Sequence, residues 1–204
     1  MFTKSFAPLV ATLAFASAAP APAVIPQDPP YYLKPTARAP GTAVDGGVLN
    51  AVNGGLFIGQ DTTTDCPGSV YPCDTFTNIT AITVSNSGSG ASMDAYVPGG
   101  QIAYINATGE FGYTAAHAQN VPSTATQKGF TRIEVFGPRE TYATVTFKGS
   151  NWLACPVEGA ASVYQVNAAA VASKTGCVGF EMAAIEVGSS EPQAYEYVAP
   201  YTVS

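Results

Sequence analysis

The chain has 204 residues, of which 47% are hydrophobic and 11% charged, with a formal net charge of −6. That length supplies one domain with a real core, and charge this sparse, against roughly a quarter in ordinary globular domains, argues against a typical cytosolic enzyme. A net negative surface repels phosphate backbones, which excludes nucleic acid as an expected partner.

At the start, MFTKSFAPLVATLAFASAA carries one lysine, an apolar run from Phe6 to Phe15, and small residues at Ala16, Ser17 and Ala18. This pattern reads as a signal peptide over 1–18. The run is shorter than the roughly 20 residues a membrane span requires. The C-terminal YEYVAPYTVS lacks the apolar tail of a lipid-anchor signal, so no membrane anchor is expected. Residues 19–44 hold prolines at high density. Proline blocks both helix and ladder hydrogen bonds, so we expect an extended, poorly ordered spacer there and a single β-domain over 45–204.

From residue 45 on, short apolar runs alternate with Gly, Pro, Asn and Ser. GVLNAV and GLFIGQ flank Asn53-Gly54, a hairpin turn pair. NITAITV, SMDAYV, QIAYIN and EFGYT continue the series. TRIEVF and TYATVTF then bracket GPRE, with Ala143, Val145 and Phe147 sharing one face of the second strand. WLAC, SVYQVNA and GFEMAAIEV complete the set; the last, rich in alanine, suits helix or strand. Residues 120–129 read as a loop. So many short strands predict an all-β fold, an antiparallel β-sandwich, with a β-trefoil-like barrel as the alternative.

Four cysteines in an exported chain read as disulfides and allow three pairings. We expect Cys66–Cys73 and Cys155–Cys177, because each closes a short loop. The spacings C-x6-C and C-x21-C suit zinc poorly, no C-x-x-C redox motif occurs, and no metal or cofactor is expected. Asn78-Ile-Thr80 and Asn106-Ala-Thr108 are N-glycosylation sequons.

The single histidine, His117, lies in a polar loop with no G-x-S-x-G elbow elsewhere, so a nucleophilic triad has no support. Glycoside hydrolysis needs two carboxylates across a cleft; Glu134, Glu181 and Glu186 sit in strand patterns that an outward, solvated side chain explains. No catalytic residues are assigned. Tyr104, Tyr113, Tyr142 and Trp152 suit either core packing or stacking on sugar rings.

The segment TFKGSNWLACP, followed by SVYQVNA and Cys177-Val-Gly-Phe180, resembles the PhiA-like family of fungal secreted cell-wall proteins, which includes IgE-binding wall allergens. GEFGYT at 109–114 resembles that family's Gly-rich segment; the likeness is good over 143–187, loose over 95–130 and absent before about residue 50. Near Ala194-Tyr195, where relatives often carry another cysteine, this chain has none. The resemblance implies a wall-associated, non-catalytic protein linked to development of spore-bearing cells. Its expected partners are wall polysaccharide or other wall proteins, and it brings no ligand residues with it.

Overall fold

The computed structural model describes residues 32–200, except 70, 86–87, 119, 137–140 and 188–191. The expected signal peptide over 1–18, the spacer before residue 32 and the GPRE turn lie outside the described residues. The first half of the chain forms β1 (Leu33–Arg38), β2 (Asn50–Val52), β3 (Gly55–Ile58), β4 (Thr64–Asp65), β5 (Ile82–Val84), β6 (Ala91–Met93), β7 (Gln101–Ile105) and β8 (Phe111–Tyr113). The second half forms β9 (Phe130–Phe136), β10 (Thr141–Phe147), β11 (Trp152–Pro156), β12 (Tyr164–Ala168), β13 (Val178–Glu186) and β14 (Glu196–Tyr197). One 3-10 turn, Cys73–Thr75, is the only helical element among the described residues.

Hydrogen-bonded neighbours run β1-β5-β6-β7-β8-β3-β12-β11-β13, and β13 pairs back to β1. Every ladder in this circuit is antiparallel. The β9–β10 hairpin joins β13 beside β11, β2 joins β3, and β4 pairs with β14 apart from the main sheet. The all-β antiparallel expectation therefore stands. The Ala-rich 178–186 run is a strand, because both its edges find partners: β1 on one side, β10 and β11 on the other.

The spacer expectation needs correction between residues 33 and 44. Leu33, Pro35, Ala37 and Ala39 are buried in strict alternation, and Val44 is fully buried. Residues 33–38 pair with 186–181 of β13. Proline density hid this period-two pattern. Pro35 is tolerated because its backbone faces away from β13, where its carbonyl accepts the Leu49 N–H at 3.0 Å and no donor is needed. The β-domain thus includes β1, ahead of residue 45.

The core sits between the walls of the circuit. Trp152, Phe111, Phe130 and Phe147 are all at most 1% exposed. Their rings meet at centroid distances of 5.0 to 6.2 Å, mostly edge-on or tilted. Trp152 donates its indole N–H to the Val145 carbonyl at 2.6 Å, so its one polar atom is satisfied. Asn53 and Gly54 both have positive φ, 45° and 83°, the turn that matches strand twist in the β2–β3 hairpin.

Candidate functional site

The polar groups concentrate where the C-terminal segment, residues 192–198, crosses β6, β7 and β8. Gln101 opens β7 and is fully buried. Its Nε2 donates to the carbonyls of Thr114 (2.8 Å) and Tyr197 (2.7 Å), while its Oε1 accepts the Tyr197 N–H at 2.7 Å. One side chain thus acts as a strand's worth of ladder for β14. Tyr197, also buried, donates its hydroxyl to the Ile79 carbonyl at 2.8 Å and accepts the Ala81 N–H at 3.1 Å. The Val198 carbonyl accepts from the Gly54 N–H at 3.1 Å and from the Tyr113 hydroxyl at 2.8 Å. Burial lifts the pKa of both tyrosines.

Asp94, the residue after β6, fastens the same segment. It is 3% exposed and accepts the Gln193 N–H at 3.1 Å. Burial pushes its pKa up to about 6, and the Gln193 bond only partly opposes this. Asp94 and Gln101 line a shallow cleft of about 340 Å³ together with Tyr32, Met93, Gly100 and Pro192.

Beside this strap lies a second, smaller apolar cluster. Val97, Ala116 and Tyr195 are buried, with Cys66, Tyr71 and Phe76 packed against them. Tyr71, Phe76, Tyr96 and Tyr195 meet at centroid distances of 4.9 to 6.3 Å with interplanar angles of 41 to 72°. The rings shield one another and do not form a flat platform; Tyr96, 45% exposed, is the one most open to solvent. The disulfide Cys66–Cys73, Cα–Cα 5.9 Å, closes the loop that carries Tyr71. This cluster was not anticipated, because its four rings come from three distant segments. The only local signal is that aromatic residues flank Cys73.

The second disulfide joins Cys155 on β11 to Cys177 just before β13, Cα–Cα 4.2 Å. No described cysteine is free. Asn78 is exposed with a positive φ of 55°, and its Oδ1 accepts from Thr64 Oγ1 at 3.0 Å. Asn106 is half-buried in the turn after β7, where its Oδ1 accepts from the N–H groups of Thr108 and Glu110, both at 3.0 Å.

Of the four aromatic candidates, Tyr113 and Trp152 belong to the core. Tyr104 lies across Gly112 on β8, so closely that a Cβ there would come within 2.4 Å of its ring. Tyr142 bonds Arg38, whose guanidinium sits 5.1 Å from the ring centroid.

His117 is exposed in a left-handed conformation. Glu181 pairs with Arg38 at 3.9 Å, and Glu134 pairs with Arg132 at 3.3 Å. Glu134 and Glu186 share a cleft of about 230 Å³ with Arg132, and both carboxylates are exposed there. Among the described residues no three His, Cys, Asp or Glu side chains gather as a metal would require, and no helix is long and apolar enough to cross a membrane.

Two disulfides on an antiparallel sheet with an aromatic core define a small β-domain of the secreted class. A model of the PhiA-like secreted protein family matches residues 33–198, and the chain belongs to that family. The match begins at the first residue of β1, well ahead of the 143–187 region where the resemblance is strongest in sequence. A protein of the fungus Arthroderma benhamiae described as an uncharacterized secreted protein is 30% identical over 180 residues, covering 85% of this chain and 89% of the relative. No solved structure matches the chain.

Proposed function

We propose that this secreted protein is a non-catalytic, N-glycosylated structural component of the fungal cell wall. The observation that supports this most is where the reactive-type side chains are placed. Asp94, Gln101, Tyr113 and Tyr197, all buried, hold residues 193–198 onto the sheet. Groups fixed in structural bonds are poor candidates for turnover. Glycans at Asn78 and Asn106 would stand on an exposed turn and a half-exposed turn of the domain. The partners are wall polysaccharide or other wall proteins.

The test is fractionation of a tagged strain. The protein should remain with detergent-washed walls and be released by glucanase, reductant or chitinase, and it should form no reducing ends from glucan or chitin. Recovery only in the medium, or release of sugar by purified protein, overturns the proposal.

A polysaccharide-binding module is the second reading, favoured by Tyr96. It is the exposed ring of a braced aromatic cluster, and an aromatic face held still is what sugar stacking uses. Saturable binding to insoluble glucan or chitin that Tyr96→Ala weakens at least about tenfold would select this reading.

A further inference from the structure

Three of the four rings in the smaller aromatic cluster are phenols, and phenols have a chemistry that packing alone does not call for. Tyr71 and Tyr195 are the closest pair, with centroids 4.9 Å apart and planes tilted by 43°. At that separation nothing lies between the rings. Tyr96 stands edge-on to Tyr71 at 5.3 Å and tilted to Tyr195 at 6.1 Å. It is 45% exposed, whereas Tyr195 is 9% exposed. The exported chain thus shows solvent one ring that abuts two better-shielded ones. Phe76 packs against Tyr96 and Tyr195 at 6.0 and 6.3 Å and, lacking a hydroxyl, braces them without competing for an oxidant.

The backbone holds this pair in place. Hydrogen bonds from Asp94 and Gln101 fix Gln193 and Tyr197, on either side of Tyr195. The Tyr96 and Val97 N–H groups donate to the carbonyls of Ala194 and Tyr195 at 3.0 and 2.9 Å. The Cys66–Cys73 disulfide closes the loop around Tyr71. A second tyrosine pair is arranged differently. Tyr113 and Tyr197 meet edge-on at 6.3 Å, both are buried, and their hydroxyls are held by separate carbonyls, those of Val198 and Ile79. Trp152, another readily oxidised ring, is fully buried against Phe111 and Phe130.

We propose that Tyr71 and Tyr195 are a dityrosine cross-linking site, oxidised through Tyr96 by extracellular hydrogen peroxide and a haem peroxidase. Tyr96 gives an electron to the peroxidase and its hydroxyl proton to water. It then regains an electron from Tyr71 or Tyr195 and a proton from water, while that ring releases its own hydroxyl proton and becomes a phenoxyl radical. A second passage makes a radical of the other ring. The two radicals form one carbon–carbon bond between positions ortho to the hydroxyls. The hydrogen on each of those carbons moves to its oxygen, which restores two phenols. Each link removes two hydrogen atoms from the protein, and one peroxide is reduced to two waters.

Desolvation raises the Tyr195 pKa, and Tyr71, Glu196 and Tyr96 raise it further, so this ring reacts with its proton on and gives up proton and electron together. Rings already held side by side need no collision between molecules, which favours a link within the chain over one between chains. The product ties the Cys66–Cys73 loop to the C-terminal strap by a bond that reductant does not cut. The reaction requires export but not attachment to a wall, and it proceeds on the free secreted protein.

The test is treatment of the dilute, intact secreted protein with hydrogen peroxide and a haem peroxidase, followed by reduction, tryptic digestion and mass spectrometry. The expected product is a monomer lighter by two hydrogen atoms, with the blue fluorescence of dityrosine and a peptide pair linked through Tyr71 and Tyr195. Tyr71→Phe and Tyr195→Phe keep the rings and should each abolish that peptide pair. Tyr96→Phe should slow its formation at least about tenfold. Intact disulfides and an unchanged melting temperature confirm that each variant is folded. If a variant does not fold, the peptide map of the unaltered protein decides. Absence of the linked pair, covalent dimers alone, a link through other tyrosines in its place, or an unslowed folded Tyr96→Phe protein overturns the proposal.

Discussion

Replacing Gln101 with leucine probes the strap most directly. Leucine fills nearly the same volume but cannot hydrogen-bond. The Tyr197 N–H and the carbonyls of Tyr197 and Thr114 would lose partners that now lie 2.7 to 2.8 Å away. Gln101 is fully buried, so water does not readily replace it. Each orphaned buried group costs about 1–3 kcal/mol, or roughly 3–6 kcal/mol for three at the lower half of that range. The added apolar surface returns about 1–2 kcal/mol. The expected net loss is about 1–5 kcal/mol, a large part of the roughly 5–15 kcal/mol that a domain possesses. Urea unfolding followed by Trp152 fluorescence reads this as a lower midpoint at unchanged slope, with both disulfides intact. A loss below about 1 kcal/mol would show that the strap is not held by this side chain, and the account of Gln101 as a surrogate strand would fail.

Asp94 makes the domain firmer in acid. Its folded pKa, about 6, lies above the ordinary value of 3.8, so the folded state binds the proton more tightly. Stability therefore falls as pH rises from about 4 to about 6, by about 3 kcal/mol at 1.36 kcal/mol per unit. Asp94→Asn should abolish this slope and raise stability at pH 7, as melts across that range will show. Glu110 acts in the other direction. Burial alone would raise its pKa, but hydrogen bonds from Lys174, Thr108 and Asn106 and the Lys174 charge outweigh it and hold it at about 2. Its contribution is complete above pH 4.5 and fades as pH falls toward 2, so Lys174→Met should destabilise at pH 7 but not at pH 2 in the same melts. Replacing Cys155 and Cys177 with serine opens a link across 22 positions and should cost about 3 kcal/mol, read by urea unfolding against the unaltered protein.

The legible parts of the fold were those whose chemistry is local. β10 alternates apolar and polar residues, and its buried Ala143, Val145 and Phe147 follow that alternation. The Asn53-Gly54 turn is specified by two residues able to take positive φ. β1 was hidden because its alternation passes through a proline, and β4 and β14, of two residues each, are too short to carry any period. The candidate site was harder to see. Gln101 looks like any polar residue opening a strand, and only the arrival of Tyr197, 96 positions later, buries it. Likewise Tyr71, Tyr96 and Tyr195 become a cluster only when the C-terminal segment lies beside the Cys66–Cys73 loop.

The β1–β13 seam bears on how the chain matures during export. Translocation delivers the amino end first, so β1 reaches the far side of the membrane while its neighbour, residues 181–186, has yet to be synthesised or threaded. Loop closure over such a separation is slow, and the Leu33–Arg38 segment must wait with its apolar side chains uncovered. The Cys66–Cys73 link can form early in that interval, whereas Cys155–Cys177 cannot. Lumenal chaperones should therefore engage the nascent amino-terminal half and let go once the last third has arrived.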